Sequence, residues 1–153
     1  MRSISIHDLI YSFTEIYDNL NNILKIIEQY NSIESTYKEI KKYKYMGNFM
    51  AYQIAMDLTY TSLLNKAKDI KTFTVLGPGA ITGISYFNYL GISPNLQGAQ
   101  KLLKIVKNKL KNYPPKFDIS DLEHSLCELG KYQDILSKDK IVGRRLYKGS
   151  QHI

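Results

Sequence analysis

The stretch IHDLIYSFTEIYDNLNNILKIIEQY, from Ile6 to Tyr30, decides the fold class. Its apolar residues Leu9, Ile10, Phe13, Ile16, Tyr17, Leu20, Ile23, Leu24 and Ile27 recur at spacings of three and four, which gathers them on one side of an α-helix. A strand would need strict alternation, and there is none. The spacing predicts a single amphipathic helix over the whole stretch.

Working outward, a more polar helix is expected from Ser32 to Lys42, where Glu34 precedes Lys38 by one turn. Gly47 and Asn48 interrupt the pattern, and Asn48 is a suitable N-cap for a strongly apolar helix from Phe49 to about Lys66. The β-branched run Phe73 to Leu76 leads straight into Gly77-Pro78-Gly79, so it reads as a turn. A helix from Ala80 to about Tyr89 follows, ended by Gly91. Ala99 to Lys111 is amphipathic, with Leu102, Leu103, Ile105, Val106 and Leu110 inward, and Pro114-Pro115 stops it. Asp118 to Leu129 reopens a helix with Ser120 and Glu123 spaced as a capping box; Gly130 stands near its end, and Tyr132 to Leu136 could prolong it. From about Lys138 the tail is basic and irregular. The expected class is all-α, in one domain over residues 1–153.

The totals set the function classes. Hydrophobic residues at 44% and charged residues at 23% exclude a disordered chain, and 153 residues can bury a real core. The net charge of +7 attracts polyanions, nucleic acid or anionic lipid. No apolar run approaches the roughly 18 residues of a membrane span, and no basic segment followed by an apolar one marks a secretory signal, so a cytoplasmic setting without membrane partners is expected. Cys127 is the single cysteine, which excludes an internal disulfide or a multi-cysteine zinc site; with only His7, His124 and His152 beside it, no structural metal and no cofactor are expected.

Four segments could carry chemistry. Tyr43 to Tyr52 looks like the second half of a helix-hairpin-helix, in which the turn at Gly47 and Asn48 aims amides of the following helix start at a DNA phosphate; Tyr45 stands where a second glycine is usual, and an ordinary interhelical turn is the plain alternative. Gln53, Asp57 and Tyr60 fall on one helical face, and a carboxylate in so apolar a helix is expected to be paired, hydrogen-bonded or at a cleft wall, as a site residue or as a satisfied structural aspartate. Gly77-Pro78-Gly79 before a helix suits close backbone approach to a ligand, or a rigid turn. Asp121 to Tyr132 brings His124 and Glu128 one turn apart with Lys131 beyond them, fit for proton transfer or substrate orientation if not simply a solvated face. Glu123 has the cap role, and Cys127 reads as an inert thiol. Lysines 101, 104, 107, 109 and 111 and the tail residues Arg144 and Arg145 could track phosphates, the arginines through paired hydrogen bonds.

Three blocks, Gly47 to Tyr60, Gly77 to Ala80 and Glu123 to Tyr132, resemble in order and spacing the signature of a helical domain shared by 5-hydroxymethyluracil DNA kinases and alpha-glutamyl/putrescinyl thymine pyrophosphorylases. That family is similar in fold to helix-hairpin-helix DNA glycosylases and is associated with phage DNA hypermodification. The resemblance implies a compact multi-helix domain that binds DNA, accepts a flipped 5-hydroxymethyluracil derivative and supports replacement of its activated 5-substituent by an amine. It implies that Gln53, Asp57 and Tyr60 line the base pocket and that Glu123, His124, Glu128 and Lys131 complete the site; the expected catalytic residues are Asp57, His124, Glu128 and Lys131, with Asp57 or the His124 and Glu128 pair as base. Gln53, Tyr60, Gly77, Pro78, Gly79, Glu123 and Tyr132 would bind substrate, and Gly47, Asn48, Arg144 and Arg145 would bind DNA. Host cytoplasm, or nucleus for a virus, would be the location. No P-loop is present, so the chain is not itself the kinase. Relatives usually carry further helical sequence or a fused kinase, which implies a fragment, a reduced relative or one part of a split system. The alternatives are a noncatalytic DNA-binding module, and an accessory subunit of a separate kinase or transferase.

Overall fold

A computed structural model describes residues 5–111 and 117–138. Among these there are seven α-helices and no strand: α1 (Ile6–Asp18), α2 (Leu20–Tyr30), α3 (Ile33–Ile40), α4 (Asn48–Asp57), α5 (Pro78–Ser85), α6 (Leu96–Lys109) and α7 (Ile119–Lys138), with short 3-10 turns at Leu58–Tyr60 and Asn88–Leu90. The described helices are too short or too polar to cross a membrane. The Phe73 to Leu76 run forms no strand, as expected, but it is irregular and not the expected turn.

The core has two centres. Ile23 and Ile27 of α2, Ile33, Tyr37 and Ile40 of α3 and Ala51, Tyr52 and Ala55 of α4 pack with Leu64, Ala67 and Phe73 from the long connection after α4. Ala80 and Ile84 of α5, Ile92 from the connection before α6, Ala99, Leu102 and Leu103 of α6 and Ile119, Leu122 and Leu126 of α7 form the other, and Leu96 touches both. Each large aliphatic side chain so buried contributes about 1.5–3 kcal/mol.

Polar locks fix the first centre. The Asp69 carboxylate accepts from Ser32 Oγ at 2.7 Å, Ile33 N at 2.8 Å and Glu34 N at 2.9 Å, capping α3 from a distance of 35 or more residues along the chain. Tyr52 and Thr74 share a buried hydroxyl pair at 2.9 Å. The second centre is locked by close backbone approach. A Cβ on Gly83 would stand 1.9 Å from the Leu126 carbonyl oxygen, and one on Gly130 would stand 2.4 Å from that of Gly79. Only glycine lets α5 and α7 meet at that distance.

Several expectations are corrected. The first helix is two: Asn19 leaves helical geometry (φ −104°, ψ 14°), and its side-chain amide donates to the Glu15 carbonyl at 2.9 Å, a local bond that competes with the helical ladder. Ile10, Phe13 and Tyr17 of α1 and Leu20 at the start of α2 are exposed, and none of the described elements covers that side. The apolar helix begins on Gly47 as N-cap, while Asn48 Oδ1 accepts instead from the Tyr37 hydroxyl at 3.1 Å. It ends at Asp57, not Lys66, with Thr59 and Thr61 hydroxyls bonded back to the Met56 and Leu58 carbonyls. The helix expected from Ala80 to Tyr89 stops at Ser85. Leu110 is exposed beyond the end of α6. The capping box of α7 is Asp118 with Asp121, in place of Ser120 with Glu123: the Asp118 amide donates to Asp121 at 2.8 Å, and the Asp121 amide returns to Asp118 at 3.3 Å. That frees Glu123 for another task, and the helix runs through Gly130 to Lys138.

Candidate functional site

Where α5 begins, Gly77 is the N-cap and Pro78 the first helical residue, a place that suits proline because its missing N–H would have no helical partner. No side chain caps this start from within its own segment. The cap comes from α7: the Gly77 amide donates to Glu123 Oε1 at 3.2 Å. The Glu123 side chain is 5% exposed, and a carboxylate so buried needs both that bond and the partial positive charge of the helix start to offset its desolvation. Its other oxygen, Oε2, lies 3.8 Å from Nε2 of His124, which is itself exposed.

One turn further along α7, Glu128 pairs with Lys131 on the open side. Cys127 faces α5, and a Cβ on Gly79 would lie 2.7 Å from its Sγ, so any larger residue at this place in the Gly-Pro-Gly bend would force the thiol to turn away. From α4, Phe49 and Gln53 are one turn apart and share a face. All of these residues line one hollow of about 720 Å³, within the size range of small-molecule sites.

The structure thus brings Gly77, Pro78, Gly79, Glu123, His124, Glu128, Lys131 and Gln53 together. It does not bring Asp57, Tyr60 or Tyr132 to the lining. Asp57 is exposed, which corrects the expectation of a desolvated or cleft-wall carboxylate; Tyr60 is 88% exposed and Tyr132 is exposed on α7. For Tyr60 the reason is local: α4 ends at Asp57 and the chain tightens into a 3-10 turn, so the face shared with Gln53 on paper is broken before Tyr60. Gly47 and Asn48 sit in the turn that opens α4. Tyr45 adopts φ +63°, the left-handed conformation that a hairpin glycine would take freely. Arg144 and Arg145 lie outside the described residues.

Phe49, Ser125 and Cys127 also line the hollow. Phe49 could have been found from its place one turn before Gln53 and directly after Asn48. Ser125 gives no such signal, since its hydroxyl bonds its own helix at the Asp121 carbonyl, 2.8 Å away.

Among known proteins, the family model described as "5-hmdU DNA kinase, helical domain" matches residues 7–140, which takes in all seven helices but for their outermost residue. No curated protein and no solved structure matches the chain.

Proposed function

The chain belongs to the family of the 5-hmdU DNA kinase helical domain, and on that premise we propose that it binds DNA and receives a flipped, activated 5-hydroxymethyluracil base in the hollow between α4, α5 and α7. The carrying observation is the meeting of the Gly77 to Gly79 bend with Glu123, His124, Glu128 and Lys131 around one cavity. A base within a duplex hides its reactive atom, so access requires extrusion, and the fold proposed for it is that of the helix-hairpin-helix glycosylases.

The chemistry follows from the side chains. An amine nitrogen attacks the methylene carbon on C5 of the pyrimidine, the bond from that carbon to the phosphate oxygen breaks, and pyrophosphate leaves with the electron pair. His124 Nε2 takes the proton released by the amine, and the Glu123 carboxylate 3.8 Å away balances the new charge. Lys131, beside Glu128, supplies positive charge for the departing pyrophosphate, and Gln53 offers a donor and an acceptor to the pyrimidine edge. A separate kinase supplies the activated base. Gly47, Asn48, Arg144 and Arg145 are the proposed DNA contacts. Asp57, outside the hollow, has no part in this scheme.

The test is mass analysis of nucleosides from pyrophosphorylated 5-hydroxymethyluracil DNA incubated with the full chain and candidate amines. Amino-substituted thymidine is expected from the unaltered protein, a loss of about a hundredfold or more from His124→Ala, and no loss from Asp57→Asn. No product from the unaltered chain would reject the catalytic reading.

The left-handed Tyr45 supports a second reading, a DNA-binding module without chemistry. The turn before Gly47 holds its geometry although no glycine makes it easy, and that turn needs only a phosphate as ligand. DNA affinity that falls steeply with salt, with no nucleoside altered under any condition, would favour it.

A further inference from the structure

Ile6, Ile10, Phe13, Tyr17 and Leu20 follow one another at spacings of four, three, four and three, the strict seam along which two helices pair. The seam continues through Leu24 and Ile27. In α2 it turns into the body of the protein, where Leu24 is half-buried and Ile27 buried. Along α1 and at the first residue of α2 the same seam runs past the edge of the body: the five side chains from Ile6 to Leu20 are between 42% and 75% exposed. Contact between α1 and the rest is thin, its one buried residue being Ser12, whose hydroxyl donates to the Lys44 carbonyl.

We propose that two copies of this chain pair through α1, each seam covering the other about a two-fold axis. Three observations commit the surface to a second copy. The seam carries no charge: Asp8 and Glu15 lie on the opposite side of the helix, where Asp8 bonds Ser5 and Glu15 accepts from the Tyr11 hydroxyl at 2.9 Å, so like charges are not brought together. Its pattern is self-complementary, as a two-fold interface requires, because knobs at these spacings fit the holes between identical knobs. The area also suffices. Five large side chains at these exposures present on the order of 600 Å² per copy, near the ~800 Å² per partner of a standard interface and at the upper end of what a monomer leaves bare. Buried area does not by itself set affinity, so the pairing is read from its dependence on concentration. No residue of α1 or α2 lines the hollow, so pairing leaves both sites of the dimer open.

Light scattering or sedimentation of the full chain across the micromolar range tests this. The mass is expected to rise from 17.7 kDa toward twice that value with concentration. Ile10→Glu and Phe13→Glu, both at exposed positions and therefore compatible with folding, are expected to stay monomeric with unchanged circular dichroism. In a Cys127→Ser background, Phe13→Cys is expected to oxidise to a covalent dimer, whereas Thr14→Cys, a residue off the seam, is not. A chain that stays monomeric throughout overturns the proposal, as does a dimer that both glutamate variants leave intact. Neither result bears on the nucleoside assay, so failure of the pairing is distinguishable from failure of the proposed activity.

Discussion

The half of the molecule built on α2, α3 and α4 and the half built on α5, α6 and α7 bury their helices by opposite means. In the first, large side chains fill the space between helices and long-range polar bonds pin the connections: Asp69 caps α3, and the Tyr52 hydroxyl meets Thr74. In the second, side chains are removed until backbones touch, at Gly83 against Leu126 and at Gly130 against Gly79. The difference bears on function because the hollow takes Phe49 and Gln53 from the first half and the rest of its lining from the second. The wall formed by α5 and α7 is defined by backbone, so the distance between Gly77 and Glu123 has little room to vary.

The largest effect expected from that contrast comes from adding one methyl group. Gly83→Ala places a Cβ 1.9 Å from a backbone oxygen that no rotamer can move, so α5 must part from α7. We expect a loss of at least ~3 kcal/mol in urea unfolding, with loss of the hollow. The converse change in the other half, Ala55→Gly on buried α4, removes a methyl and weakens the helix by only about 1–2 kcal/mol. Equal costs for the two would erase the contrast.

Next in size is Asp69→Ala, which leaves the Ser32 hydroxyl and the Ile33 and Glu34 amides without their acceptor. A cost of about 2–3 kcal/mol follows from the lost cap and the stranded donors. Hydrogen exchange should quicken first in the opening turn of α3 while α5 and α7 stay protected. Uniform quickening would mean that the two halves are a single cooperative unit.

What could be read in advance divides along the same line. The bend at Gly77 to Gly79 and the cluster from Glu123 to Lys131 were legible because glycine, proline and helical spacing are local signals, and the packing of α5 on α7 brings those two segments together. Asp69 was not legible, because nothing in its own neighbourhood says that it caps a helix start 35 residues earlier. Asn19 was hidden by Leu20, which keeps the apolar spacing intact across the break. Periodicity misplaces Asp57 because α4 is apolar on nearly every side, which leaves open which face looks inward and where the helix stops. The Ser120 and Glu123 spacing points to a capping box two residues too late. With Asp118 and Asp121 holding that role, the Glu123 carboxylate is spent on Gly77 instead.

The smallest effect sharpens the comparison through pH. Burial pushes the Tyr52 phenol from its ordinary 10.0 up to about 12, against a lowering from the Thr74 hydrogen bond. The native state therefore holds this proton where the unfolded chain releases it. Stability from this group is complete below about pH 10 and is lost as pH rises through 12, by on the order of 2 kcal/mol. Tyr52→Phe has no proton to lose, but it leaves Thr74 Oγ1 without its partner, a cost of about 1 kcal/mol at neutral pH. The two stability curves should then cross between pH 10 and 12, with the variant weaker below and stronger above, as read from urea unfolding at stepped pH. Parallel curves would mean that water reaches the Tyr52 hydroxyl and that the first half is less tightly filled than its side chains suggest.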